Sequence, residues 1–434
     1  MPTTNNTDAA ATVTVRSGSR KMMIAGTVIG NCLEFYDFTV YTYFAVIIGK
    51  LYFPSQDPTV SLMSSVATFA AGFITRPLGS LLLGLYADRR GRKAALSLTI
   101  LLMAFGTGLI AITPTYDQIG VAAPILIVLA RLLQGFSQGG EFGTATSTLL
   151  EAGDQKARGL RVSWQLATQG TGTILGAGLA ALLSATLSRE ALDAWGWRLP
   201  FIFGVLIAPV GIYLRRNLHE DWVASATEGS ATGILRELFT THLRTQILIT
   251  LTGMGGTVTV YLLNFMPIYA IKTFGLPMAT SMLVGVSTGM VTMFAGPLAG
   301  ATSDRLRSRK TLIFIGRGAL LVGLLPAFLF INRTPSVSVI LPITACLTFF
   351  YAFGSATSFT LMCESLPRAV RATGISIAYA VSVCVFGGTA QFVSVWLVRI
   401  SGDPVAPAWY ATACVAVSLL AVSLLKETGN KSLR

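Results

Sequence analysis

The first long apolar run of this chain carries Asn31, Glu34 and Asp37, three residues apart. That spacing sets all three along one side of a helix. A carboxylate inside an apolar span is costly to keep and marks a functional position by default. Glu34 and Asp37 are therefore candidates to bind and release a proton. Burial raises a carboxyl pKa and a neighbouring arginine lowers it, so their charge can be switched by whatever else is bound. Arg131, midway along the fourth apolar run, is the expected electrostatic partner of both.

Two more arginines, Arg76 and Arg317, fall inside apolar runs. Arg76, followed by Pro77, is a candidate substrate contact. Arg317, near the start of its run, reads as a helix brace or a snorkelling side chain. Tyr36, Gln134, Gln165, Asn264, Tyr351 and Tyr379 join Asn31, Arg76 and Arg131 as a candidate substrate-binding set. Against each of these stands a plainer reading, in which a buried ion pair or hydrogen bond only ties helices together.

The elements that must position these residues are membrane spans. Hydrophobic residues make up 53% of the 434 positions and charged residues 12%. A soluble domain is nearer one quarter charged. The apolar residues come in runs of about 20, the length that crosses a bilayer core. Spans are expected near 22–48, 60–86, 94–112, 121–149, 161–186 and 199–215, then 243–270, 280–302, 311–332, 337–361, 372–398 and 407–426. This predicts an all-α integral membrane protein of twelve helices. Its expected parts are an N-terminal tail (1–20), a six-helix bundle (21–215), a central loop (216–242), a second six-helix bundle (243–426) and a short tail (427–434). The tail at 1–20 has no apolar core, so no cleavable signal is expected.

The net charge of +13 does not point to nucleic acid, because the basic residues cluster between apolar runs instead of forming a stripe. With both termini inside, 23 of the 32 Lys and Arg fall on the cytoplasmic side, 6 on the other, and Arg76, Arg131 and Arg317 within spans. That bias predicts cytoplasmic termini. Five cysteines without a CxxC pair and two histidines offer no metal-ligand spacing. No P-loop or nucleophile motif supports an ATP-driven pump or an enzyme.

The chain also repeats itself. Gly84, Asp88 and Arg89 recur as Gly300, Asp304 and Arg305, an offset of 216 residues, while Glu151 and Arg158 recur as Glu364 and Arg371, an offset of 213. Two related six-helix halves imply a binding site at their interface near the bilayer midplane, an arrangement that disfavours a receptor or channel.

The loop Gly84-Leu-Tyr-Ala-Asp88-Arg89-Arg90-Gly91-Arg92-Lys93 strongly resembles the loop between helices two and three of the major facilitator superfamily. Asp88 at a helix end can pair with arginines and with a neighbouring helix N-terminus, while Gly84 permits close packing and Gly91 a tight turn. The resemblance implies a conformational latch. Its expected members are Gly84, Asp88, Arg89, Gly91, Arg92, Glu151 and Arg158, with Asp304, Arg305, Glu364 and Arg371 in the second half. The second copy is degenerate, with Arg307 where the first has Gly91 and Ser308 where it has Arg92.

A narrower resemblance spans nearly the whole chain. It rests on Gly30-Asn31-Cys32-Leu33-Glu34-Phe35-Tyr36-Asp37-Phe38, on Arg76-Pro77, on Arg131-Leu-Leu-Gln134-Gly135, on Trp195-Gly196-Trp197-Arg198-Leu199-Pro200-Phe201 and on Glu364-Ser-Leu-Pro367-Arg-Ala-Val-Arg371. These look like the metabolite:proton symporters of that superfamily, and most of all like their citrate and α-ketoglutarate carriers. The resemblance implies proton-coupled uptake of an organic acid by alternating access. It implies no cofactor beyond the proton gradient, a bacterial inner-membrane location and a functional monomer. Uptake of a zwitterionic osmolyte such as proline or betaine, or of shikimate, is the alternative within the family. Osmosensing members carry a long C-terminal extension, whereas this chain ends at residue 434, soon after its last span.

Overall fold

The computed structural model describes residues 17–90, 92–139, 141–151, 155–216, 231–306 and 308–429. Gly91 lies outside the described residues, and positions 84, 88, 89, 92 and 151 are described as backbone only. The expected latch residues of the first motif copy therefore fall outside what the structure describes.

Among the described residues twelve long helical stretches follow one another, with short helices such as Ala45–Tyr52 and Arg189–Ala194 between them. The twelve begin with α1 (Ser17–Tyr43), α2 (Pro58–Ile74, resuming as Arg76–Arg90), α3 (Arg92–Ile112), α4 (Ala122–Gln138, resuming as Glu141–Glu151), α5 (Arg158–Thr186) and α6 (Leu199–Arg216). Then come α7 (Leu243–Phe274), α8 (Met278–Leu306), α9 (Arg309–Arg333), α10 (Val337–Glu364), α11 (Arg368–Ser382, resuming as Ala390–Ser401) and α12 (Ala406–Leu424). Among the described residues eight stretches are long and apolar enough to cross a membrane on their own, and Ser97–Ile112, Ala122–Gln138 and Gly196–Leu206 are shorter apolar helices. Local chemistry fixes several ends. Asp57 caps α2 by accepting from Thr59 N at 2.8 Å, with Pro58 in the first helical position. Gly275 ends α7 at a φ of 67°, a left-handed cap that other residues adopt with strain.

Two features depart from the sequence reading. The eleventh span is not one regular helix, because Val383–Gly387 forms a π turn just before Gly388. The Gly387-Gly388 pair makes that loosening cheap. The polar stretch 216–242 was expected as a loop, yet Ala231–Thr240 is a helix. Ile234 and Leu238, four apart, are buried under it, which gives the short segment an apolar stripe to dock.

The helices form two six-helix bundles, α1–α6 and α7–α12, that meet along two seams. One seam is α5 on α8, the most extensive helix pair in the molecule. Glycine makes it possible: a Cβ on Gly170 would stand 2.5 Å from the carbonyl oxygen of Gly289. The other seam sets α2 and the end of α4 against α11. It is aromatic, with Phe142 stacked on Tyr379 at 3.4 Å between ring centroids and Phe73 edge-on to Tyr261 of α7 at 5.5 Å.

Candidate functional site

Both α1 carboxylates are buried, but they do not share one arginine. Arg76 of α2 lies 3.6 Å from Glu34 Oε1 and donates a hydrogen bond to Gln138 Oε1 of α4. Asp37 sits one turn further along α1. Its Oδ2 accepts from the Thr107 hydroxyl of α3 at 3.0 Å, Thr107 Oγ1 accepts from Gln134 Nε2 at 2.8 Å, and Gln134 Oε1 accepts from Arg131 Nη1 at 2.7 Å. The expected pairing of Arg131 with Glu34 is thus corrected, since Arg76 lies beside Glu34. Arg131 is coupled to Asp37 by its charge and through a hydroxyl and an amide. The physical reason is that α2 and α4 offer their arginines at different heights along α1.

Arg131 is left underused. It is 1% exposed, and its Nε and Nη2 have no hydrogen-bond partner. It is held instead over the rings of Tyr41, Phe38 and Phe69, at 4.5, 4.8 and 5.0 Å from their centroids. Arg76 likewise stacks on Phe73 and Phe38, at 4.6 and 4.9 Å, with its Nε unpartnered. Phe38 therefore backs onto both guanidinium groups.

On its other face Phe38 lines a cavity of about 20 Å³ between the bundles. Thr42, Phe69, Gln169, Tyr261 and Asn264 are also on its wall. It has room for about one water, so the site is contracted. Both ends of the interface are shut. At the end where α2 begins, Asp57 pairs with Arg399 at 3.2 Å, and deeper in, Gln391 donates to Thr42 Oγ1 at 3.3 Å. The other end carries the ion cluster described below.

Of the expected substrate contacts, Asn264 lines the cavity and its Oδ1 has no partner. Tyr379 flanks the interface through its stack on Phe142. Tyr351 is buried in α10. Asn31 ties α1 to α5 by donating to the Gln165 carbonyl at 3.2 Å and to Thr168, and Gln165 donates to Thr146 at 2.9 Å. Tyr36 points away from the cavity, donating to the Pro200 carbonyl at 2.7 Å. Gln134 is a link in the Asp37 relay. Sequence reasoning missed Thr107, Gln138, Phe38 and Phe69. Arg131, Gln134 and Gln138 share one helical face, which was a usable signal for Gln138. Nothing marked Thr107.

Arg317 of α9 is also buried, but it faces hydroxyls. It donates to Ser418 Oγ of α12, which donates to the Thr252 carbonyl of α7 at 2.8 Å. The Nε of Arg317 has no hydrogen-bond partner.

The ion cluster joins the bundles where α8 ends and α5 begins. Asp304 accepts from Gly159 N and Leu160 N, each at 2.9 Å, and so caps the N-terminus of α5 across the interface. Arg309 donates to Asp304 Oδ1 at 2.9 Å and grips Glu364 with two bonds of 3.2 and 3.1 Å. Arg158 of the first bundle lies 3.5 Å from Glu364. Three expected members, Asp304, Glu364 and Arg158, therefore meet here. Arg305 does not join them; it is exposed at the end of α8, and Arg309 fills the cluster instead because it opens the next helix facing inward. Arg371 donates to the Cys363 and Leu366 carbonyls at 2.9 and 3.2 Å. Beyond α12, Glu427 accepts from Arg309 N at 2.8 Å and from Lys310 N at 3.1 Å, and Thr428 donates to Glu364 at 2.6 Å. Burial opposes the charge on Glu427, but the backbone N–H groups of Arg309, Gly429 and Lys310 and the Ser308 hydroxyl outweigh it and hold the carboxyl below its ordinary range.

Two six-helix bundles closed over a central cavity, with buried acids and arginines facing one another in the first of them, define a multi-pass membrane transporter. The chain belongs to the Major Facilitator Superfamily, whose sequence profile matches residues 27–391. It is 34% identical to the citrate-proton symporter of Klebsiella pneumoniae, over 98% of this chain and 97% of that one. It is 33% identical to the alpha-ketoglutarate permease of Escherichia coli K12, covering 95% and 94%. Against the proline/betaine transporter of the same strain the identity is 31%, covering 97% and 86%. Among solved structures it is similar to the D-xylose-proton symporter, with a TM-score of 0.76, 16% identity and coverage of 95% and 99%.

Proposed function

We propose that this protein is a proton-coupled symporter that takes up an organic acid, citrate or another tricarboxylate first and a dicarboxylate such as α-ketoglutarate second. The observation that carries the reading is Arg131, a buried guanidinium with two nitrogens lacking hydrogen-bond partners beneath the inter-bundle cavity. A carboxylate leaving water needs fixed cations of this kind, and arginine binds it with two parallel bonds. Among its described side chains the first bundle holds Glu34, Asp37, Arg76 and Arg131 in the middle of its core. Each proton taken up by Glu34 or Asp37 leaves one guanidinium uncompensated and able to hold one substrate carboxylate. Binding of acid and binding of protons then favour each other by linkage.

The proton gradient supplies the energy, with no cofactor. The protein works as a monomer in the bacterial inner membrane with both termini cytoplasmic, as the 23 to 6 distribution of basic residues supports. Single cysteines at Ser55 and Thr240 then label from opposite sides; labelling from one side overturns this orientation. The cluster of Asp304, Arg309, Glu364 and Arg158 is the cytoplasmic latch, with Asp88 and Arg89 as its counterpart in the first half.

One observation favours the osmolyte reading. The closed cavity is walled by Phe38, Phe69 and Tyr261, which suits a quaternary ammonium. Proteoliposomes with an imposed pH gradient decide between the two. Accumulation of citrate, tricarballylate, succinate or α-ketoglutarate is expected. Accumulation of betaine or proline and of none of these acids overturns the acid reading.

A further inference from the structure

Arg317 of α9 takes no part in the site described above, yet it places a full charge in the core of the second bundle. It is 2% exposed and packs against α7, α10 and α12. Arg76, Arg158 and Arg309 each have a carboxylate within 3.6 Å. Arg317 has none among the described residues, and Tyr351 of α10 is the ionisable group that acts on it. Arginine does not shed its proton, so this charge persists, and a charge buried without a counter-charge is strongly destabilising.

The groups around it are donors short of an acceptor. Arg317 Nη1 donates to Ser418 Oγ, whose own proton goes to the Thr252 carbonyl at 2.8 Å. Arg317 Nε is buried without a hydrogen-bond partner, and so is the Thr252 hydroxyl. Thr252 and Gly256 are four apart and share one face of α7. At Gly256 that face has no side chain: a Cβ there would stand 3.1 Å from Ser355 Oγ of α10 and 3.7 Å from Arg317 Nη2. The guanidinium and the Ser355 hydroxyl thus meet at one corner, with Thr252 a turn away. A single added carbon would already touch both groups, so the corner suits one atom and not a multi-carbon acid. None of these residues lines the cavity between the bundles.

We propose that Arg317 anchors a small-anion site in the second bundle, which takes chloride or an anion of similar size. The ion accepts from Arg317 and from the Ser355 and Thr252 hydroxyls, and it supplies the counter-charge that the surrounding helices lack. Its role is to neutralise the core of the second bundle, and its binding does not depend on which solute is carried.

Melting of the purified protein in detergent tests it, with sodium gluconate exchanged for sodium chloride, bromide or nitrate at constant ionic strength. The small anions are expected to raise the melting temperature of the wild type by about 2 °C or more over gluconate. Arg317→Met keeps the bulk, removes the charge and is expected to lose that rise. No rise in the wild type, or the same rise in Arg317→Met, overturns the site. Citrate is the second arm: any rise it gives should survive in Arg317→Met, and a citrate response lost in that variant makes Arg317 a substrate contact and overturns the small-anion site. If Arg317→Met does not fold, Gly256→Ala decides, because its methyl group enters the corner and leaves the charge in place. It is expected to raise the chloride concentration at half-effect about tenfold, and an unchanged value overturns the site. The readout uses no transport, so failure of the uptake reading leaves this site standing.

Discussion

The two bundles share a fold and differ in what they bury. The first holds Glu34, Asp37, Arg76 and Arg131 in its core, linked through Thr107, Gln134 and Gln138. The second holds Arg317, which donates from Nη1 to Ser418 Oγ while its Nε has no hydrogen-bond partner, and Ser418 in turn donates to the Thr252 carbonyl. Among its described residues every acid lies at a bundle end: Glu237, Asp304, Glu364, Asp403 and Glu427. A cation bound by neutral hydroxyls keeps its charge whatever the pH. A cation beside a carboxylate gains or loses its counter-charge with each proton. The comparison teaches that, among the described residues, acids buried in the middle of the spans are confined to the first bundle. The second contributes cavity wall and the cluster that shuts one end.

The largest expected effect tests that division directly. Arg131→Ala weakens binding of the acid a hundredfold or more, about 3 kcal/mol, whereas Arg317→Ala leaves affinity within about threefold. Calorimetry on both variants checks it, and equal losses would erase the difference between the bundles.

Next in size are the carboxylates. Glu34→Gln and Asp37→Asn each lower pH-driven uptake about tenfold, and at least one retains substrate exchange, which needs no net proton release. Full pH-driven accumulation in both variants would make the acids structural.

A smaller effect compares the two motif copies. Asp304→Asn removes a charge that caps α5 across the interface, and this end of the molecule opens by about 1–2 kcal/mol. Spin labels at Lys156 and Arg305 should move apart and transport should slow. Asp88→Asn is expected to do the same through the first copy. A variant of either copy with normal turnover reduces that copy to an orientation signal.

The smallest effect is at Glu427. Its folded carboxyl pKa is held below the unfolded value. Its stabilisation is therefore present above the ordinary carboxylate range and is lost as pH falls through the lowered folded value. Glu427→Gln should lower the melting temperature slightly at pH 7, and the gap to wild type should close in strong acid. A gap independent of pH would show that the amide disturbs packing and that charge is not what matters.

Much of the architecture was legible in the chain. Apolar runs of bilayer length place the twelve spans, because lipid forces every backbone polar group to be satisfied within its own helix. The motif offsets separate two halves. Intramembrane acids and arginines stand out because charge is rare there. What periodicity does not reveal is which partner each charge takes. Residue type and position favour Arg131 as the partner of Glu34, and only the heights of α2 and α4 along α1 put Arg76 there instead. Thr107 carried no signal, since a hydroxyl in a span more often bonds its own helix. The inward turn of Arg309, and its preference over Arg305, depends on where α8 stops and α9 starts.

The sequence by itself determined the membrane class, the span positions, the repeat and the residues able to carry charge, all of which follow from hydrophobicity and residue type. Only the tertiary structure decided that Glu34 meets Arg76, that Asp37 reaches Arg131 through a relay, and that Phe38 screens both arginines from the cavity. It alone placed Asp37 on the face of α1 away from that cavity. The reason is that a face of one helix acquires meaning only when the neighbours packed against it are set, and those neighbours come from remote parts of the chain.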